Sequence, residues 1–142
     1  MIIKSYEIQK NLSNFLKYNF YLLYGENNGL KKEIRESIKV TIKRKDSNLE
    51  LLSLYDNDII SNKENFYNSI YSGSLFSKKK IITINYGTDK IINVIKDVVD
   101  KYPENILIII ISDILEKKSK LRNFFESNAK TVCIPCYLDG EK

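Results

Sequence analysis

The sequence predicts an α/β domain, a parallel sheet of five strands held between two layers of helices in a three-layer arrangement. Three observations carry that prediction. After an opening helix, strand-like and helix-like periodicities alternate along the chain and end on a strand. The run Ile106–Ile111 is apolar at every position, so it has no face to offer water and belongs inside a parallel sheet. The chain of 142 residues, 43% hydrophobic and 29% charged, can bury a core without disulfides or metals. A single domain over residues 1–142 is expected, with no internal repeat and no low-complexity linker.

The elements follow in order. Ile8, Leu12, Phe15 and Leu16 set a helix over 6–18. Phe20–Tyr24 is a short apolar strand ended by Gly25, and residues 25–29 form a turn. Leu30, Ile34, Ile38 and Ile42 recur every four residues and give one apolar helix face over 30–42. A second strand occupies 49–55 and stops at Asp56-Asn-Asp58. Ser61-Asn-Lys-Glu64 reads as a capping box that opens a helix with Phe66, Tyr67, Ile70 and Tyr71 inward, closed by Gly73. A third strand covers 80–86. Thr88-Asp89 caps a helix carrying Ile91, Ile92, Ile95, Val98 and Val99, and Pro103 stops it. After Ile106–Ile111, a helix is expected over 114–125, with Asp113 as its N-cap, and a fifth strand over 131–134.

Composition excludes several functions. The chain has no histidine, which removes Ser-His-Asp and Cys-His nucleophile systems and every histidine-containing metal site. Two cysteines make no disulfide framework. The longest apolar run is far short of a membrane span, and the first residues lack the pattern of a secretory signal, so a cytoplasmic protein without a membrane role is expected. Net charge is +5, concentrated in residues 1–45, while 46–76 are acidic. Lysine supplies nearly all the positive charge, and arginine is the usual choice for bidentate phosphate and base contacts.

The strand–turn–helix at 20–42 is where a phosphate-binding loop would lie, with backbone N–H groups and a lysine around the phosphates. The required spacing is G-x-x-x-x-G-K-[ST]. The chain has Gly25-Glu-Asn-Asn-Gly29-Leu-Lys31-Lys32: one residue too few between the glycines, leucine where lysine should follow, and no hydroxyl after Lys31. Glu26 adds a carboxylate where phosphate would sit. Gly25, Gly29 and Lys31 therefore mark a degenerate loop, and no strand ends in the acidic pair that would hold magnesium. Cys133-Ile-Pro-Cys136 ends a strand rather than opening a helix, so a buried structural cysteine is expected instead of a redox pair. The basic clusters at 43–45, 78–80 and 117–122 carry no interleaved aromatics for single-strand stacking. The segment Ser72-Gly-Ser-Leu-Phe-Ser-Lys-Lys-Lys80 sets two large apolar residues in a small polar turn. Either Leu75 and Phe76 fold inward as a satellite of the core, or they are an exposed anchor pair for a partner's pocket.

Taken in order, Phe20-Tyr-Leu-Leu-Tyr-Gly-Glu26, Ser74-Leu-Phe-Ser-Lys-Lys-Lys-Ile-Ile82, Ser112-Asp-Ile-Leu-Glu-Lys-Lys-Ser-Lys120 and the closing strand with Cys133 resemble the N-terminal domain of the delta subunit of the bacterial replicative clamp loader, part of the DNA polymerase III holoenzyme. The resemblance runs over nearly the whole chain. It implies a RecA-like AAA+ (P-loop NTPase-like) domain that has lost nucleotide binding, with no intrinsic catalysis and no cofactor. It implies that Leu75 and Phe76, with Ser74 beside them, bind the beta sliding clamp and that binding helps open the ring. Tyr71 or Ser72 stands where clamp-binding motifs often carry Gln, which implies a lower affinity. The other implied partners are the gamma/tau and delta prime subunits, with DNA met only within the complex. The family carries two further domains, so the chain is expected to be a fragment. The competing readings are a nucleotide-dependent enzyme with an unusual phosphate loop and a basic DNA-binding module.

Overall fold

The computed structural model describes residues 1–72 and 78–138. Five strands, β1 (Phe20–Tyr24), β2 (Glu50–Tyr55), β3 (Lys80–Asn85), β4 (Ile106–Ile111) and β5 (Thr131–Pro135), form one sheet in the order β2-β3-β4-β1-β5. Every neighbouring pair is parallel. Leu22 of β1 lies between Ile110 of β4 and Cys133 of β5, and this register carries the alternation of the two faces across the sheet.

Both faces are covered, giving the three-layer arrangement that the alternation predicts. On one side α1 (Ser5–Lys10), α2 (Leu12–Phe15) and α3 (Asn28–Lys45) close over Tyr21, Leu23, Ile81, Leu107, Ile109, Val132 and Ile134. On the other, α4 (Asp56–Ser61), α5 (Lys63–Tyr71), α6 (Ile92–Asp100) and α7 (Lys120–Ser127) cover Phe20, Leu22, Ile82, Ile84, Ile108 and Ile110. Successive strand residues point to opposite faces, so a strand buried twice over must be apolar throughout. β1 and β4 hold to this, and so do the four buried residues 81–84 of β3 apart from Thr83. The β5 edge is extended by the chain start: Ile2 bridges to Cys133, and the Met1 ammonium donates to the carbonyls of Phe125, Asn128 and Thr131 at 2.6, 3.1 and 2.9 Å respectively.

Four expectations are corrected. The opening helix breaks at Asn11, whose non-helical backbone (φ −130°, ψ 46°) ends α1 and starts α2. The strand stop at Asp56-Asn-Asp58 is a helix of its own, α4: Asp58 accepts the Tyr55 N–H at 2.8 Å, and the buried Asp56 accepts the Thr88 N–H and hydroxyl at 3.1 and 2.8 Å. The next helix is therefore capped by Asn62, which accepts from the Asn65 N–H, and not by Ser61; Tyr71 faces outward. Gly73 lies outside the described residues. The helix expected from 114 begins at Lys120: residues 112–119 are a loop, Ile114 is exposed, and Ser119 rather than Asp113 is the N-cap. Smaller differences are the start of α3 at Asn28 and the 3₁₀ turn Asp89–Ile91 ahead of α6.

The late start of α7 has a cause distant in sequence. Asp89 accepts from the Ser119 hydroxyl and from the N–H groups of Lys120 and Leu121 at 2.7, 3.0 and 3.0 Å. Burial alone would raise its pKa, but these donors outweigh burial and hold the carboxyl below its usual value of 3.8. Removing this acceptor orphans donors at a helix N-terminus. Asp89→Ala is expected to destabilise the fold by about 1–3 kcal/mol near neutral pH in urea titrations. Because the native pKa is the depressed one, the contribution is present above the unfolded value of 3.8 and lost as pH falls through the native one. The gap between variant and wild type should accordingly close in acid.

Candidate functional site

In an open parallel sheet, ligands bind where the direction of winding reverses, outside the carboxyl ends of the strands. Here β1 leads across to β2 on one flank and β4 leads to β5 on the other, so the reversal falls at the ends of β1, β4 and β5. The turn at Gly25 sits there.

The turn is fastened to its neighbours by its own backbone. The Gly25 N–H donates to Asp113 O at 3.0 Å, the Asn27 N–H to Cys136 O at 3.1 Å, and the Cys136 N–H to Tyr24 O at 2.7 Å. Asn27 caps α3, accepting the Leu30 N–H at 3.0 Å, and its amide donates to Tyr137 O at 3.2 Å. The Glu26 carboxylate accepts the Leu138 N–H at 3.0 Å, and that bond with one to its own N–H lowers its pKa. Donors that a phosphate loop holds for its ligand are thus engaged within the protein, and a carboxylate occupies the loop. Gly25 has φ +118°, and a Cβ there would meet the Cys136 carbonyl oxygen at 2.2 Å. Gly29 lies inside α3, and its nearest neighbour would be the Asn27 side chain at 3.7 Å, so its position makes no demand for glycine.

Lys31 is only 3% exposed. Its ammonium donates to Ser112 O at 2.8 Å and lies 3.9 Å from a carboxylate oxygen of the exposed Asp113. Burial lowers its pKa, against the pull of Asp113. The lysine of the degenerate loop therefore ties α3 to the end of β4. Sequence reading missed this, although the spacing 31, 34, 38, 42 puts Lys31 on the buried face with three isoleucines. Beside it is a cleft of about 170 Å³ lined by Asn28, Lys32, Arg35 and Tyr86 among others. Tyr86, exposed and at φ 56°, stacks on the exposed Tyr55 with ring centroids 6.0 Å apart.

The remaining candidates separate cleanly. Cys133 and Cys136 are both buried and are not joined in a disulfide; they belong to the apolar clusters on opposite faces of the sheet. Burial pushes the Cys133 thiol up to about 12. Among the described residues no three His, Cys, Asp or Glu side chains gather to hold a metal ion, and no helix is long and apolar enough to cross a membrane. Ser74, Leu75 and Phe76 lie outside the described residues.

Three outcomes are expected. Gly25→Ala carries backbone strain of about 1–3 kcal/mol before its clash with Cys136, and should lower the melting temperature by several degrees. Lys31→Ala leaves a buried carbonyl without its charged donor and should cost about 1.5–3 kcal/mol in denaturant titrations. Millimolar ATP with magnesium should leave the wild-type melting temperature unchanged, since a ligand bound only by the native state would raise it.

The family model for the DNA polymerase III delta subunit matches residues 21–134. No curated protein matches the chain. Among solved structures, the chain is similar to the Bacillus subtilis DNA clamp loader delta protein (YqeN), with a TM-score of 0.58 and 10% identity. That alignment covers 94% of this chain and 42% of the other, so the chain spans less than half the length of its structural relative. At this identity the likeness speaks for the fold: the five-stranded parallel sheet with helices on both faces is that of the clamp loader delta protein, in keeping with the RecA-like arrangement. With the family model covering the chain from β1 to β5, the chain belongs to the DNA polymerase III delta subunit family.

Proposed function

We propose that this chain is the AAA+-like N-terminal domain of a clamp loader's delta subunit, and that it binds the beta sliding clamp through Leu75 and Phe76. The observation that carries the reading is the family match across residues 21–134, which spans the Ser74-Leu-Phe segment and its basic flank. Mechanism requires no chemistry by this chain. A protein that holds an open ring better than a closed one shifts the ring toward open. Two large apolar side chains in a pocket of the ring supply the binding energy.

The frame around the segment supports this use. At its upstream end, the Tyr71 hydroxyl donates to Lys101 O at 2.7 Å. At its downstream end, the Lys80 ammonium donates to Ser69 O at 2.6 Å, the Asn105 amide donates to Lys78 O at 2.7 Å, and the Lys80 N–H donates to Asn105 O at 2.8 Å. The ends of α5 and β3 are thereby fixed to the body of the domain, so an anchor carried between them is presented from a rigid base. The self-bonded turn at Gly25 agrees with a subunit that hydrolyses no ATP and leaves that step to the gamma/tau subunits. Contact with those subunits, with delta prime and with DNA is assigned to the assembled loader in the cytoplasm, through the further domains that the longer relative's length accommodates.

Surface binding of the chain to the sliding clamp of the same organism tests the proposal. Leu75→Ala and Phe76→Ala are each expected to cost about 2 kcal/mol or more, roughly thirtyfold in Kd, with the fold intact by circular dichroism. Unchanged affinity in both variants would overturn the assignment.

A further inference from the structure

The two strongest basic clusters of the sequence, 33 residues or more apart, meet at the N-terminal end of the sheet. α3 starts at the Gly25 turn, and its 18 residues carry it about 27 Å back along the strands. There its last turn delivers Lys43, Arg44 and Lys45. β3 enters at the same end behind Lys78 and Lys79. Lys45 and Lys79 line one pocket of about 220 Å³, with Leu16, Ile42 and Asp46. Lys43, Arg44, Lys45 and Lys78 are exposed and Lys79 is half-buried.

The carboxylates in reach do not cancel this charge. Asp46 accepts the Asn48 N–H at 3.1 Å in a local turn, and Glu50 lies 3.9 Å from Lys80, a residue outside the count. The helix dipole accounts for cations at the end of α3. It gives no reason for Lys78 and Lys79, and β3 is an interior strand that needs no charges to guard an edge. Four of the five cations are lysines, point charges suited to long-range attraction rather than to bidentate recognition. Among the described residues no aromatic ring lines the pocket, so these offer no platform for a nucleic-acid base. An apolar floor of Leu16 and Ile42 beneath two ammonium groups suits a carboxylate on a short aliphatic stem.

We infer that this basic foot docks an acidic surface of the same protein partner that engages Leu75 and Phe76, and that it sets the rate of encounter more than the lifetime of the complex. The inference rests on the clamp-binding reading. Lys78 follows the anchor segment directly in the chain, so a partner seated on that segment meets the foot as it arrives. Charges placed around an apolar anchor act chiefly on association, and their effect fades with ionic strength.

Association and dissociation rates of the chain on the sliding clamp should be measured from about 20 to 500 mM salt. The variants are Lys45→Glu/Lys79→Glu, its milder form Lys45→Gln/Lys79→Gln, Lys118→Glu as a reversal at the other end of the sheet, and Leu75→Ala/Phe76→Ala. At low salt the double reversal should slow association about tenfold or more, the glutamine form less, with dissociation changed under about twofold and the salt dependence flattened. Lys118→Glu should match wild type. Equal association rates in wild type and double reversal, with binding still lost in the Leu75/Phe76 variant, would overturn the foot and keep the anchor. Binding that survives in the Leu75/Phe76 variant would overturn the anchor reading and this inference with it. Salt-sensitive binding of the foot to duplex DNA, removed by the same reversals while clamp association is unaffected, would replace the acidic protein with nucleic acid.

Discussion

The structure depends on a strand that has no polar side to turn outward. β4 is isoleucine or leucine throughout, hydrogen-bonded to β3 on one edge and β1 on the other. Such a strand excludes any architecture with a wet face and requires helices on both sides of the sheet. Parallel pairing follows, because each helix must cross from one end of the sheet to the other before the next strand begins. The positions of the turns are then largely determined, including the reversal of winding at the ends of β1, β4 and β5.

At that reversal the chain has the geometry of a nucleotide site and uses it for cohesion. Gly25 is needed for the close approach of Cys136, Lys31 for the carbonyl of Ser112, and Glu26 for the N–H of Leu138. Each contact joins the β1–α3 turn or α3 to a segment more than 80 residues later. A ligand entering this turn would have to displace contacts that now hold the sheet's centre to its β5 edge.

Legibility from sequence followed the range of the forces. β1, β3, β4 and β5 and the inward face of α3 were readable because strand and helix periods are local. At the Gly25 turn, spacing and residue type showed where Gly25, Gly29 and Lys31 depart from a phosphate-loop pattern, while the bonds made by Glu26 and Lys31 were not visible. The misread elements were those set from a distance. α4 is short, buries one isoleucine, and owes its place to Asp56 meeting Thr88, 32 residues on. The start of α7 moved because Asp89 supplies acceptors to Ser119, Lys120 and Leu121. The break at Asn11 left the apolar spacing of a single helix intact, so periodicity carried no sign of it.

A parallel sheet sorts its connections by direction, and this one does so strictly. Turns that leave strands gather at one end, and segments that enter strands gather at the other, separated by the length of a six-residue strand, about 20 Å. The Gly25 turn leaves β1, between β4 and β5; Lys78 and Lys79 lead into β3, between β2 and β4. Substitutions at Gly25 and Lys79, a strand's length apart, should combine additively. A change in the turn at the crown of the fold therefore leaves the basic residues at its base in place, and the two ends can vary without passing a strain to one another.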